Sequence, residues 1–325
     1  MRPLLIGHRG ASGHRPEHTL AAYALAARMG ADAIEPDLVA TCDGVLVARH
    51  EPEIGGTTDV ASRPAFASRR TVKELGGEPV EGWFCEDFTL TELKTLRCRE
   101  RLPELRGTAL DGVDPVATLD EILALRASLS VELGREIVVY PETKHPARSR
   151  ALGLPLEEPL VAALRAHGLD GPGAPVFVQS FERDSLERVG AALPVRRTRL
   201  VAAANPGGVR LRTPYASSEA QTPGLEEIFG HAEAVGPAKE LLLPRDAEGR
   251  SLPPTRFVEE AHGAGLLVHP WTFRAENAFL PAELRRGDEP AAYGDLAAEL
   301  RAVLALGVDG LFCDHPDVAA AVLNA

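Results

Sequence analysis

The sequence predicts an α/β protein, a TIM (β/α)8 barrel carrying a small subdomain inserted after the second strand. Three observations lead there. Short apolar runs alternate with longer amphipathic patterns from end to end, which is the mark of βα units. Eight such runs fit within the 325 residues, a length suited to an eightfold repeat of strand and helix. One segment, residues 51–115, interrupts that rhythm and is rich in charge, Pro, Gly and Thr. A doubly wound open sheet is the structural alternative.

In chain order, the first strand is expected at residues 3–7 (PLLIG) and the first helix at 19–29, closing before Gly30. The second strand, 33–38, is the run AIEPDL. After the interruption, a helix at 118–129 is announced by Thr118 and Glu121, whose spacing fits a capping box. Strands follow at 137–141, 175–180, 198–201, 240–243, 266–270 and 310–313. Helices at 156–167, 184–192, 224–235, 254–264 and 294–306 separate them. Gly168, Gly265 and Gly307, like Gly30, fall just past a helix, where a left-handed C-cap is expected. Residues 51–115 are too many for a structureless loop and read as an inserted cap, with its clearest helix at 89–96. Residues 1–325 then form one barrel domain with the cap inside it. A βα insertion at this point lies over the C-terminal rim, where barrel active sites are built.

Composition is that of a globular protein: 45% hydrophobic, 25% charged, with a mean hydropathy of −0.07. No uninterrupted apolar run approaches membrane-spanning length. The formal net charge of −12 argues against nucleic acid as a partner, and an anionic substrate would need a locally positive site. Cys42, Cys85, Cys98 and Cys313 show no zinc-ligand spacing. Isolated thiols are the default, with a Cys85–Cys98 disulfide as the lesser alternative. The first strand begins almost at once in MRPLLIGHRG. This suits a cytoplasmic protein if the chain is complete, and a periplasmic or secreted one if a leader was removed.

The strongest chemical signal lies between His8 and His50. Glu35 and Asp37 stand two apart in a strand-like run, so a side-chain period of two points both carboxylates the same way. Two anions on one face repel unless a cation lies between them. A histidine on each flank suits proton transfer at neutral pH. His8 and Arg9 stand at the end of the first strand, Glu142 and Lys144 at the end of the third, Gln179 at the end of the fourth and Trp271 after the seventh. In a barrel all of these converge on one rim. Glu35, Asp37 and Glu142 then make an all-oxygen group suited to one hard divalent cation, Ca2+ or Mg2+.

Plainer readings stand beside these. Glu35 and Asp37 would also be relieved by Arg or Lys from neighbouring strands, and Glu142 and Lys144 by pairing with each other. Phe181 and Trp271 read as packing residues, and His14, His18, His145, His167, His231, His262, His269 and His315 as structural ones. The Glu100-Arg101 and Arg285-Arg286 runs read as solvated faces.

The segments HRGASGHRPEHT, IEPDLVATCDGVLVARH, YPETK and the closing GVDGLFCDHPD resemble, in order and spacing, the motif series of glycerophosphodiester phosphodiesterases. The resemblance runs from Pro3 to the C-terminus. It implies a TIM barrel with a small insertion after the second strand, and metal-dependent hydrolysis of a small-molecule glycerophosphodiester. It implies His8 and His50 as the acid–base pair, Arg9 and Lys144 as phosphate-side cations, and Glu35, Asp37 and Glu142 as ligands of one divalent cation. Gln179, Phe181 and Trp271 would line the pocket. Two departures stand out: Pro16-Glu-His-Thr19 replaces the commoner PENT, and Glu51 replaces the commoner Asp after the second histidine. PEHT, the long insertion, YPETK and HPWTFR at 269–274 resemble the bacterial periplasmic-type branch, which favours broad glycerophosphodiester hydrolysis and commonly uses calcium. The rival readings are a lysophospholipase D-like enzyme, with Trp83, Phe84 and Phe88 forming an apolar groove, and a non-catalytic phosphate-binding barrel. The non-catalytic barrel and a metal-dependent aldolase or isomerase both rank below the phosphodiesterase readings.

Overall fold

A computed structural model describes residues 2–202 and 225–325. Among these, the strands in chain order are β1 (Leu4–His8), β2 (Ala33–Glu35), β3 (Asp37–Ala40), β4 (Leu46–Ala48), β5 (Thr71–Leu75), β6 (Glu78–Gly82) and β7 (Val138–Val139). They continue with β8 (Glu142–Thr143), β9 (Phe177–Ser180), β10 (Arg196–Val201), β11 (Ala234–Pro237), β12 (Leu267–Val268) and β13 (Gly310–Cys313). Proline lacks the amide donor that a ladder needs, so Pro36 separates β2 from β3 and Pro141 separates β7 from β8. At these two points the chain passes between two ladders, β13-β1-β2-β7 and β12-β11-β10-β9-β8-β3-β4. All pairings within them are parallel except the β3–β4 hairpin.

The order of strands around the sheet is that of a TIM barrel, although no continuous ladder joins β12 to β13. That side is spanned by hydrogen bonds from Asp309 N to Val268 O and from Phe312 N to Pro270 O, both 3.0 Å, and by a single Phe273–Cys313 bridge. Ile6, Ala33, Phe177, Ala234 and Phe312, all on strands, form one buried cluster with Tyr140, which lies between β7 and β8. Tyr140 stacks on Phe177 with ring centroids 4.9 Å apart, and its hydroxyl meets His269 Nδ1 at 2.8 Å. Burying a phenol stabilises only when its hydroxyl keeps a partner, and His269 supplies one. None of the helices among the described residues is long and apolar enough to cross a membrane.

Most elements lie where local chemistry expects them. Thr19 caps the helix Leu20–Arg28 through Ala22 N. Thr118 and Glu121 form a reciprocal capping box on Leu119–Leu133, which ends on left-handed Gly134. Gly30, Gly168, Gly265 and Gly307 all take positive φ. One strand is misplaced. The expected strand at 240–243 begins in a 3-10 turn (Lys239–Leu241), and the strand is β11, which overlaps the end of the expected helix at 224–235 and runs past it. That helix is only Leu225–Phe229, and position 224 lies outside the described residues. β11 reads AVGP, too small and short to show a periodic signal. Gly236 is needed there because an added Cβ would meet the Leu200 side chain at 2.7 Å. The helices Pro146–Ala151 and Pro316–Leu323 were not expected.

Residues 51–115 hold three 3-10 segments (Val60–Ser62, Pro64–Arg69 and Cys85–Asp87), the β5–β6 hairpin, and the short helices Leu90–Leu93 and Pro103–Arg106. The helix expected at 89–96 is thus a single turn, held by a Thr89–Glu92 capping box. Ile54, Val60, Cys85, Phe88, Leu93, Leu96 and Cys98 bury their apolar surface together with Val39 and Val47 of the β3–β4 hairpin. Cys85 and Cys98 are free buried thiols, while Cys42 is free and exposed.

Candidate active site

Strand pairing alone gathers the site. Across β3, β8 and β9, Asp37 pairs with Glu142 and Glu142 with Gln179; across β1 and β2, His8 pairs with Glu35. One oxygen each from Glu35, Asp37 and Glu142 lies within 4.8 Å of the others, and all three side chains are buried. Glu35 accepts from Gln179 Nε2 at 2.9 Å and from the Arg9 backbone amide at 2.7 Å. That amide is aimed by a left-handed backbone at Arg9, φ 57°. Lys144 Nζ lies 2.7 Å from Glu142 Oε1 and 3.2 Å from Asp37 Oδ1. Asp37 Oδ2 meets His18 Nε2 at 2.9 Å and Arg9 Nε at 3.3 Å. The predicted carboxylates, Arg9, Lys144 and Gln179 therefore form one connected group.

The electrostatics fit a cation. Burial, reinforced by the Asp37 charge, pushes the Glu35 carboxyl well up. Burial pushes Glu142 up to about 8, with Asp37 adding and Lys144 opposing. Asp37 resists burial and keeps its charge well below the usual carboxylate range, because Lys144 and His18 stand against it. Asp37 Oδ1 and Gln179 Oε1 are buried and accept no hydrogen bond. Oxygen donors, mutual repulsion and an unsatisfied buried oxygen together suit a hard divalent ion better than protein groups alone.

The two histidines are built alike. His8 Nδ1 meets Asp314 Oδ1 at 2.6 Å, and Asp314 Oδ2 is held by Arg106 at 2.6 Å and Arg274 at 2.8 Å. His50 Nδ1 meets Glu51 Oε1, and both Glu51 oxygens are held by Arg101, at 2.8 and 2.6 Å. Arg101 also grips both oxygens of Glu17, which in turn accepts from Arg9 Nη1 at 2.9 Å. Burial, then Arg9, lowers His8 to about 4 against the pull of Asp314. Burial, Arg9 and Lys144 lower His50 to about 3. Both imidazoles are therefore neutral at neutral pH, donating Nδ1–H to a carboxylate and presenting the Nε2 lone pair.

Phe181 and Trp271 do not join this group through any polar contact. They meet each other edge to face at 6.0 Å, and the Trp271 indole N–H donates to Gly236 O. His18 is no ordinary structural histidine: it accepts from Tyr23 and donates to Asp37, so it orients a carboxylate of the site. The Glu100-Arg101 run is not a solvated face. Glu100 is buried, which pushes its carboxyl up to about 7, and Arg101 ties two acidic residues of the site. Arg285 and Arg286 are exposed, as expected. Glu17, His18, Asp314 and Arg274 stood inside motifs already singled out, whereas Arg101 read only as part of a solvated charge run and Arg106 carried no signal of its own.

Trp83, Phe84 and Phe88 offer no groove. Phe84 and Phe88 are fully buried, and the half-buried Trp83 donates its indole N–H to Phe66 O at 2.8 Å.

Comparison with known proteins places this arrangement. An Arabidopsis thaliana glycerophosphodiester phosphodiesterase is 34% identical over 96% of this chain and 84% of its own length. Enzymes of the same name from Bacillus subtilis and Haemophilus influenzae are 29% and 26% identical, over 98% and 97% of this chain and 85% and 88% of their own lengths. In fold, the chain matches a phosphodiesterase from Oleispira antarctica, solved with the product sn-glycerol-3-phosphate. That match has a TM-score of 0.63 at 19% identity, covering 99% of this chain and 97% of that one. Residues 8–318 match the model of the glycerophosphoryl diester phosphodiesterase family, and the chain belongs to that family.

Proposed function

We propose that the chain hydrolyses glycerophosphodiesters to sn-glycerol 3-phosphate and an alcohol. His8 and His50 serve as the acid–base pair, and Glu35, Asp37 and Glu142 hold one divalent cation, Ca2+ or Mg2+. The observation that carries this reading is the pairing of two carboxylate-backed, neutral imidazoles with a buried three-carboxylate group and the cations Arg9 and Lys144. A bound cation would offset charge on the phosphoryl oxygens and lower the pKa of the attacking hydroxyl. Arg9 and Lys144 hold the phosphodiester anion by charge-assisted hydrogen bonds.

One histidine takes the proton of the glycerol 2-hydroxyl at Nε2, and that oxygen attacks phosphorus. The bond from phosphorus to the head-group oxygen breaks, and the other histidine protonates the departing alcohol. Beyond burial, Arg9 depresses both imidazoles and Lys144 depresses His50; the anionic substrate offsets these cations and so favours the protonated form of the histidine acting as acid. Water then opens the cyclic glycerol phosphate with the histidines exchanging roles. Residues 51–115 act as a cap on this rim, since Arg101 and Arg106 reach the carboxylates behind both histidines.

Small, water-soluble diesters are preferred over lipids, because Phe84 and Phe88 are buried rather than arranged as a groove. The plant relative is more similar than the two bacterial ones, so the likeness to the periplasmic-type branch rests on PEHT, YPETK, HPWTFR and the long insertion alone. A substrate analogue without the glycerol 2-hydroxyl tests the cyclic route. We expect no measurable head-group release from it, and release at the normal rate contradicts the route.

A further inference from the structure

We propose that Arg101 and Arg106, both on the inserted segment, are positioning residues for the two imidazoles, so that the insertion completes the acid–base machinery. The inference rests on the proposed phosphodiesterase reading and extends it to residues outside the rim. Each histidine is backed by a carboxylate at Nδ1, and each of those carboxylates is held by a guanidinium from residues 101–106. A lone carboxylate behind an imidazole is free to rotate. With its oxygens shared between an imidazole and a guanidinium, it is fixed in plane and orients the ring.

The two braces are built differently. Arg106 has a nearly buried side chain, and it splits its donors among Asp314 Oδ2, Glu276 Oε1 and the Ser12 carbonyl. Arg274 of the barrel shares Asp314 with it at 2.8 Å. Arg101 is the guanidinium that holds both Glu51 oxygens, and it ties them to Glu17 and hence to Arg9. The His50 brace therefore depends on the insertion more than the His8 brace does. Against burial, Arg274 and Arg106 hold Asp314 ionised, and His50 and Arg101 hold Glu51 ionised, so that each imidazole donates Nδ1–H and leaves Nε2 free to act as base.

The test uses the full chain with glycerophosphocholine and a saturating divalent cation. Arg101→Gln and Arg106→Gln are expected to lower kcat about tenfold or more while KM moves by less than about threefold, with the larger loss at Arg101. Arg106→Lys, which keeps the charge and is the variant to use if Arg106→Gln does not fold, is expected to recover part of the loss. The decisive readout is a double substitution assayed on a p-nitrophenyl glycerophosphate, whose activated leaving group keeps residual rates measurable. In a His8→Ala background, Arg106→Gln should change the residual rate by less than about twofold, because the residue it acts through is gone. An Arg106→Gln loss of about tenfold on that substrate that persists undiminished in the His8→Ala background, or a parent-like kcat on glycerophosphocholine in the single variants, overturns the proposal. A parent chain that cleaves no glycerophosphodiester overturns the functional reading itself, a result distinct from an active parent with indifferent arginines.

Discussion

His8→Ala and His50→Ala each lower kcat on glycerophosphocholine by about 10^3-fold, roughly 4 kcal/mol of transition-state stabilisation. In the proposed reading the loss falls on kcat, because Arg9 and Lys144, rather than either ring, carry the charge that would hold the substrate. Both side chains keep some exposure, 11% for His8 and 20% for His50, and neither belongs to an apolar core cluster. The variants should therefore fold. The two losses differ in kind: with a p-nitrophenyl leaving group, which needs little protonation, the variant lacking the acid recovers and the variant lacking the base does not. Steady-state kinetics on the two substrates thus assigns the roles, and a loss confined to KM contradicts them.

Asp37→Asn is expected to reduce activity by at least about 10^3-fold and to abolish stabilisation by divalent cations. Asp37 is the one member of the three-carboxylate group held firmly ionised, and Lys144, His18 and Arg9 all converge on it. Neutralising it removes the anchor charge of the cation site and leaves Lys144 and Arg9 with less to balance them. The parent chain should melt higher as Ca2+ or Mg2+ is added, by an amount that follows ligand linkage, about 2.7 kcal/mol at a hundredfold excess over Kd. In the variant, the melting temperature should not respond to either ion. An Asp37→Asn protein that binds the cation as tightly as the parent removes Asp37 from the ligand set.

The rim was legible in the sequence because barrel topology turns strand ends into neighbours. Glu35, Asp37, Glu142 and Gln179 needed only their strands to be located, and register then placed them side by side. β11 escaped because AVGP has no bulky residues to set a period, whereas the ELLL that follows it mimics a strand while forming a one-turn helix. His18 was hidden by its type, since a buried histidine is usually structural, and only its contact with Asp37 reveals a role. The arginines were hidden by distance. Arg101 meets Glu17 across 84 residues and Arg106 meets Asp314 across 208, and no local pattern encodes which carboxylate a charged loop will reach. A charge run such as Glu100-Arg101 looks alike in sequence whether it faces water or closes an active site.

The most direct test of the central claim is choline release from glycerophosphocholine and from lysophosphatidylcholine, each with EDTA and then with Ca2+ or Mg2+ restored. A metal-dependent phosphodiesterase of small soluble diesters releases choline from glycerophosphocholine, loses that activity in EDTA, regains it with a divalent cation, and acts weakly on the lipid. Undiminished release in EDTA, or a preference for lysophosphatidylcholine, contradicts the account.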